Sequence, residues 1–136
     1  MLNMQPHVVN ILIVDDDPLT CKYLAMIFSA KDWSVDTASN SSTALEFTRQ
    51  KHYDAVVLDR MSADMDGAEL CRRIKDAQPD IRSVFLTPDP NIGTVFPAME
   101  AGAERVLAKP VDPHELVRAL EEQLATAAGH ARERGV

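Results

Sequence analysis

Apolar and polar positions along the chain change their period repeatedly, between the period of a strand and that of a helix. The segments "VVNILIV" and "DAVVLD" are nearly continuous apolar runs, as expected of strands that are covered on both faces. "WSVDT" alternates between apolar and polar positions, and "IRSVFL" and "ERVLA" are two further short runs of strand character. We therefore predict five strands, and the segments that follow them show helical spacing.

The first helix is expected to begin at Asp17-Pro18, with Asp17 as the N-cap and a proline at the first helical position. Four apolar residues fall on one face of this helix at helical spacing: Leu19, Tyr23, Met26 and Ile27. The second helix follows the polar cluster "SNSST" and runs to about Gln50. The spacing of Thr43 and Glu46 predicts a capping box at its start.

Three more helices are predicted in the second half of the chain. Asp66 and Glu69 cap the third, which carries Leu70 and Ile74 on one face. The fourth, over about 94–101, is expected to be weak because Gly93 and Pro97 both disfavour a helix. The last helix begins at "DPHE" and repeats leucine at four-residue intervals, at Leu116, Leu120 and Leu124.

Strands that alternate with helices indicate a parallel sheet with helices on both of its faces. In such sheets, ligand sites form at the carboxyl ends of the strands, near the point where the strand order reverses. The first strand ends at Asp15 and Asp16, the third at Asp59, the fourth at Thr87 and the fifth at Lys109. We therefore expect these five polar side chains to converge on one edge of the sheet.

Three carboxylates in one pocket need a cation. Two of them about 4 Å apart repel by roughly 4 kcal/mol at an effective dielectric near 20, so that they protonate in part or bind a positive ion. Mg²⁺ prefers a few carboxylates together with waters and a phosphoryl oxygen. Lys109 and Thr87 suit a phosphoryl group placed beside this metal. Asp59, which ends a central strand, is the best candidate for the carboxylate that attacks a phosphoryl donor.

Composition limits the class of protein. The chain has 136 residues, enough for one domain, and a formal net charge of -7, which argues against nonspecific nucleic acid binding. Cys21 and Cys71 are isolated and without zinc spacing, as expected of reduced, buried thiols in a cytosolic protein. No basic region precedes the first apolar run, and acids cut it short, so we predict neither a signal peptide nor a membrane span.

Four segments together resemble the receiver domain of two-component response regulators: "ILIVDDDP", "YDAVVLDRMSADMDGAEL", "VFLT" and "AMEAGAERVLAKP". The likeness runs from about Val9 to Leu124. It implies the flavodoxin-like fold, a doubly wound α/β architecture. In that fold, a five-stranded parallel sheet has the strand order 2-1-3-4-5, and five helices cover both of its faces.

The resemblance also implies roles for the residues at the strand ends. Asp59 would accept a phosphoryl group from a histidine kinase, and Thr87 and Lys109 would bind the phosphoryl oxygens. Mg²⁺ would be held by Asp15, Asp16, Asp59 and the backbone carbonyl of Met61. In this family the peptide bond between Lys109 and Pro110 is typically cis. Such a protein catalyses only its own phosphorylation and slow dephosphorylation.

The chain departs from the family pattern at four places. Ser62-Ala63 stands where the family usually has Met-Pro, and Val106 stands at the position of the aromatic switch residue. Pro88 follows the threonine, where a small residue usually gives its backbone N–H to the phosphoryl group, and proline has no N–H. Gly93 and Pro97 weaken the helix of the usual output face. These departures predict intact chemistry and an altered signalling surface.

Three classes of function stay open. The first is a receiver whose phosphorylation on Asp59 switches partner binding by changing the surface around residues 88–112. The second is an interaction module that keeps the fold but signals without phosphate. The third is a metal-dependent phosphatase, which would need a second catalytic acid two residues beyond the nucleophile, where this chain has Met61.

Residues 1–127 are expected to form the receiver and residues 128–136 a polar tail. No effector motif follows, so the chain is either a single-domain regulator or a piece of a longer protein. The expected partners are a sensor histidine kinase or phosphotransfer protein and a downstream protein of unknown identity, in the cytoplasm, without nucleic acid or membrane. Receivers often pair through the surface of the fourth helix, fifth strand and last helix, which would give a homodimer.

Overall fold

The structure is a computed structural model that describes residues 7–59 and 66–134, with the backbone alone described from residue 127 onward. Strands and helices alternate along the described chain. In order they are β1 (Asn10–Val14), α1 (Pro18–Ser29), β2 (Ser34–Ala38), α2 (Ser41–Gln50), β3 (Ala55–Asp59), α3 (Gly67–Ala77), β4 (Arg82–Thr87), α4 (Ile92–Glu100), β5 (Arg105–Ala108) and α5 (Pro113–Arg134).

The five strands form one parallel sheet in the order β2-β1-β3-β4-β5, which confirms the predicted fold. The chain passes from β1 outward to β2 and then returns to β3 on the other side of β1. The order of the strands therefore reverses between β1 and β3. A doubly wound sheet opens its ligand crevice at this position, beyond the carboxyl ends of the strands.

Each face of the sheet carries its own apolar core. In β1, Leu12 and Val14 point into one core, and Ile11 and Ile13 point into the other. This alternation follows from the two-residue period of a strand, and all four side chains are buried. The nearly continuous apolar runs of β1 and β3 are therefore explained by helices on both faces of the sheet, as predicted.

The predicted apolar face of α1 is wrong. Leu19 is 76% exposed, and Tyr23 and Met26 are exposed as well, whereas Cys21, Leu24 and Phe28 are the buried residues of this helix. Both sets have helical spacing, so periodicity alone does not distinguish them. The packing of α1 against the sheet and α5 selects the second set, and of the predicted face only Ile27 packs against the core.

The start of α2 also differs from the prediction. Asn40 is the N-cap, and its side-chain oxygen accepts a hydrogen bond from the Thr43 backbone N–H at 2.8 Å. The predicted capping box of Thr43 and Glu46 is therefore wrong, because the helix begins at Ser41, two residues before Thr43. Asparagine caps a helix as well as serine does, and it stands in an extended conformation here.

The remaining helices agree with their predicted faces. Leu70 and Ile74 of α3 and Leu116 and Leu120 of α5 are buried. Asp66 stands at the N-cap of α3, but its side chain makes no capping hydrogen bond. The backbone of α5 continues through residues 128–134, part of the predicted polar tail. Among the described residues, no helix is both long enough and apolar enough to cross a membrane.

The fourth helix forms in spite of Gly93 and Pro97. It begins at Ile92, earlier than predicted, and ends at Glu100. Asn91 and Thr94 form a capping box at its start, in which each side chain bonds to the other residue's backbone. This reciprocal cap satisfies two of the free N–H groups at the start of the helix, which compensates for residues of poor helix propensity.

Candidate functional site

Three carboxylates come together at the carboxyl edge of the sheet. Asp15 and Asp16 follow β1 directly, and Asp59 is the last residue of β3, the neighbouring strand. One carboxylate oxygen from each of the three lies within 4.8 Å of the other two. The predicted convergence of the acids is therefore what the structure shows, at the position where the strand order reverses.

The three acids differ in burial and in their bonding. Asp15 is only 4% exposed, Asp59 is half-buried and Asp16 is exposed. One oxygen of Asp15 accepts the backbone N–H of Asp17 at 2.9 Å, and the other lies 3.2 Å from Nζ of Lys109. Asp15 is thus fixed from both sides, whereas Asp16 faces solvent.

The ammonium group of Lys109 bridges two of the acids. Its Nζ lies 3.2 Å from Oδ2 of Asp15 and 3.2 Å from Oδ1 of Asp59. Burial of the lysine acts to lower its pKa, but the charges of Asp15 and Asp59 and their hydrogen bonds outweigh this effect and raise the pKa. Lys109 therefore stays charged, and it offsets part of the negative charge of the pocket.

Thr87 is held beside Lys109 by the backbone. Thr87 is only 1% exposed, and its backbone carbonyl accepts a hydrogen bond from the Lys109 N–H at 2.8 Å. The hydroxyl oxygen of Thr87 accepts the backbone N–H of Asp89 at 3.2 Å. The bond between Lys109 and Pro110 is cis, as predicted.

The donors fit a small hard cation. Carboxylate oxygens are the ligands that Mg²⁺ prefers, and two of the three acids are accessible to solvent, so that water can complete the coordination. Three carboxylates beside one ammonium also leave a net negative charge, which favours a divalent ion. Met61, whose carbonyl was predicted as a further ligand, lies outside the described residues, as do Ser62 and Ala63.

Asp17 stands apart from the three acids of the pocket. Its side chain caps α1, accepting the Leu19 N–H at 3.1 Å and the Thr20 hydroxyl at 2.7 Å. The Thr20 hydroxyl, followed by the Leu19 N–H, lowers the pKa of Asp17, so its carboxylate is ionised and occupied by the helix. The prediction that Asp17 is an N-cap is confirmed.

One feature of the loop after β4 was not predicted from the sequence. The Asp89 backbone N–H donates to the Thr87 hydroxyl oxygen. A threonine hydroxyl can accept the N–H two residues further along in such a turn, but the donor is backbone, so the residue type at position 89 does not indicate the bond.

Val106 of β5 is half-buried and packs against the core cluster that contains Leu70 of α3 and Ala98 of α4. A valine in that place has no long side chain to move between buried and exposed positions.

A family model described as the response regulator receiver domain matches residues 11–121, most of the chain. The transcriptional regulatory protein ZraR of Klebsiella oxytoca is 36% identical over 122 residues, which cover 90% of this chain and 28% of ZraR. The chain thus spans little more than a quarter of the length of that relative.

Two solved structures have the same fold as this chain. The receiver domain of an HD domain-containing protein from Pseudomonas fluorescens Pf-5 has a TM-score of 0.88 at 28% identity, covering 98% of both chains. A response regulator from Burkholderia pseudomallei, solved with a phosphorylated aspartic acid, a calcium ion and citrate, has a TM-score of 0.79 at 25% identity. It aligns over 94% of this chain and 75% of its own.

Proposed function

The chain belongs to the response regulator receiver family, and we propose that it accepts a phosphoryl group on Asp59 in a Mg²⁺-dependent reaction. The donor would be the phosphohistidine of a sensor histidine kinase or of a phosphotransfer protein. The observation that carries the proposal is the set of three carboxylates within 4.8 Å of one another, two of which contact the ammonium group of Lys109.

Asp59 is the nucleophile among the three acids. An oxygen of its carboxylate attacks phosphorus, the bond between phosphorus and the donor's imidazole nitrogen breaks, and the nitrogen keeps the electron pair. Asp15 is only 4% exposed, so an incoming donor reaches it less readily than Asp59. Asp59 ends a strand beside it, is partly accessible, and lies next to the only cation of the described pocket.

Lys109 has two tasks in this scheme. Before the reaction, its ammonium offsets the negative charge of Asp59 and so makes the approach of an anionic donor less unfavourable. As the bond to Asp59 forms, the same group can bond to a phosphoryl oxygen, a charge-assisted hydrogen bond of the stronger kind. Thr87 would bond to a second phosphoryl oxygen through its hydroxyl.

Asp15, Asp16 and Asp59 would hold the metal, with the Met61 carbonyl as a further predicted ligand. When bound, Mg²⁺ supplies positive charge that both the carboxylates and the incoming phosphoryl oxygens require. The hydrogen bond from the Asp17 N–H restrains the Asp15 side chain, which reduces the side-chain entropy that is lost when the ion binds.

The phosphorylated form would act by contact with other proteins. Phosphorylation would draw Thr87 and Lys109 to the new group and change the surface around residues 88–112, which biases an equilibrium between two conformations. Its downstream partner would be a protein or an effector domain. A homodimer through α4, β5 and α5 is one form that this output could take. The two free, buried cysteines fit the predicted cytoplasmic location.

A second candidate is an interaction module that needs no phosphate. Val106 packs against the core, and Pro88 lacks the N–H that family members give to the phosphoryl group. The first observation concerns the transmission of the signal and the second the binding of the phosphoryl group, and both leave the three carboxylates in place. Sustained turnover of phosphomonoesters by this chain would instead support the third class of function, a metal-dependent phosphatase.

Beryllofluoride, which imitates a phosphoryl group on aspartate, separates the first two candidates. With Mg²⁺ present, we expect it to shift the backbone amide signals of Thr87 and Lys109 in the wild-type chain and to leave those of Asp59→Asn unchanged. Partner binding that responds to beryllofluoride supports the receiver. The interaction module is supported if beryllofluoride changes neither the amide signals nor partner binding, and if Asp59→Asn binds the partner as tightly as wild type.

A further inference from the structure

The loop between β4 and α4 has the sequence "TPDPN", in which a proline stands on each side of Asp89. Each proline fixes its own φ angle, and each also restricts the residue before it to extended conformations. Thr87 and Asp89 are the two restricted residues. A loop of this composition is stiff, and it can hold a neighbouring side chain in a set position.

Every polar group of Asp89 is bonded in this loop. Its backbone N–H donates to Oγ1 of Thr87 at 3.2 Å, and its carboxylate accepts Nδ2 of Asn91 at 2.8 Å. Its carbonyl accepts the Thr94 hydroxyl at 2.7 Å and the Asn91 N–H at 2.9 Å. Asp89 is therefore tied to the first turn of α4 on one side and to Thr87 on the other.

The bond to Asp89 determines what the Thr87 hydroxyl can do. A hydroxyl has one proton to donate and lone pairs that accept. Because an Oγ1 lone pair already receives the Asp89 N–H, the proton of this hydroxyl is directed to another acceptor. The Thr87 carbonyl is fixed as well, by the Lys109 N–H at 2.8 Å.

We propose that Asp89 and Thr94 are positioning residues for phosphoryl transfer to Asp59: they orient the Thr87 hydroxyl so that it donates to a phosphoryl oxygen. The inference rests on the proposed function. Thr94 acts through Asp89, whose carbonyl is the nearer of the two acceptors of the Thr94 hydroxyl, at 2.7 Å against 3.0 Å for the Asn91 carbonyl. Asp89 in turn acts through its N–H on Thr87. Pro88 has no N–H, and the next N–H of the loop, that of Asp89, donates to the Thr87 hydroxyl oxygen.

The alternative is that Thr94 serves only as a helix cap. Asn91 and Thr94 form the capping box of α4, and their loss would loosen that helix in any protein. The two roles differ in one respect. A positioning residue depends on the Thr87 hydroxyl, whereas a cap does not, so the effect of changing Thr94 should disappear only in the first case when Thr87 has no hydroxyl.

The test is a double-mutant cycle on the full chain, read as the rate of phosphorylation by acetyl phosphate at saturating Mg²⁺. We expect Thr94→Val to slow the reaction roughly 3- to 10-fold, the worth of one net hydrogen bond. Thr94→Ser, which keeps the hydroxyl, should restore the rate. In a Thr87→Val background, Thr94→Val should cause no further loss.

The matched control is Thr126→Val, since the Thr126 hydroxyl donates to a backbone carbonyl of α5, that of Glu122, at 2.9 Å. It should react at the wild-type rate. The inference is overturned if Thr94→Val also reacts at that rate, if Thr94→Ser is as slow as Thr94→Val, or if Thr94→Val slows the Thr87→Val chain equally. A wild-type chain that does not react at all overturns the proposed function, and this inference with it.

Discussion

Nζ of Lys109 lies 3.2 Å from Oδ1 of Asp59, although α3, β4, α4 and β5 separate the two residues in the chain. The contact exists because β3 and β5 are parallel strands of one sheet and end at the same edge. At about 4 Å and an effective dielectric near 20, such a pair attracts by roughly 4 kcal/mol before desolvation is counted. The cation thus stabilises an acid pocket that would otherwise repel itself.

Removal of this cation should weaken the chemistry and strengthen metal binding. In Lys109→Met, phosphorylation of Asp59 should be about 10- to 100-fold slower, because one charge-assisted hydrogen bond to the phosphoryl group is lost. Mg²⁺ should bind more tightly, since Lys109 no longer competes for Asp15 and Asp59. Titration with Mg²⁺ and the rate with acetyl phosphate measure the two effects.

Lys31→Met is the control, because Lys31 forms an exposed ion pair with Glu121 on the surface. It should change neither quantity. Weaker Mg²⁺ binding in Lys109→Met than in Lys31→Met would contradict the account of Lys109 as a competitor for the carboxylates.

Alkaline pH should reduce the stability that Lys109 contributes. The folded state raises its pKa above the ordinary value of 10.5, in spite of its burial, because Asp15 and Asp59 favour the charged form. The contribution is therefore complete below 10.5 and is lost as the pH rises through the higher folded pKa. Urea denaturation should show wild type approaching Lys109→Met in stability across that range. A gap that widens with rising pH would contradict this sign.

Tyr53→Phe should lower the free energy of unfolding by about 1 kcal/mol at neutral pH, the net worth of a hydrogen bond. The Tyr53 hydroxyl donates to Oδ2 of Asp36 at 2.7 Å. Burial acts to raise the pKa of Asp36, but the bonds from Tyr53 and Lys51 lower it below its ordinary value of 3.8. The stabilisation is present above 3.8 and is lost as the pH falls through the lower folded pKa.

Denaturation of wild type and Tyr53→Phe from neutral to acidic pH measures this effect. The control is Tyr23→Phe, since Tyr23 is 51% exposed on α1. Its stability should match wild type at every pH. If the difference in free energy of unfolding between wild type and Tyr53→Phe stays constant below the pKa of Asp36, the Tyr53 hydroxyl stabilises the fold without the ionised carboxylate.

The two leucines of α1 give a matched test of the helix face. Leu24 is 1% exposed and Leu19 is 76% exposed. Leu24→Ala should cost about 2 to 5 kcal/mol, because it leaves a cavity in the core. Leu19→Ala should stay within about 0.5 kcal/mol of wild type. A larger loss for Leu19→Ala than for Leu24→Ala in thermal or urea denaturation would mean that α1 presents the predicted face to the sheet.

Sequence patterns predicted the elements well where burial is two-sided. β1 and β3 are apolar at nearly every position because both of their faces are covered, and their short length and β-branched residues favour a strand over a buried helix. The ends of these strands then placed Asp15, Asp16 and Asp59 together, since parallel strands share a carboxyl edge. The acid pocket was therefore predictable from pattern and topology.

Choices between equivalent patterns were not predictable. Leu19 and Leu24 both belong to apolar stripes with helical spacing, and the packing of α1 against the sheet and α5 decides between them. Asn40 and Thr43 are both residue types that favour the N-cap position, so the residue type alone does not fix the start of α2. In the structure β2 ends at Ala38 and α2 begins at Ser41, which makes Asn40 the cap. The bond from Asp89 to Thr87 uses a backbone N–H, so no residue type in the sequence marks it.

Intact-protein and peptide mass spectrometry after incubation with Mg²⁺ and acetyl phosphate tests the central claim most directly. The account predicts one phosphoryl adduct on Asp59, stable in acid and labile in base, that needs Mg²⁺ and is absent from Asp59→Asn. No adduct on the wild-type chain, while another receiver reacts under the same conditions, would contradict it.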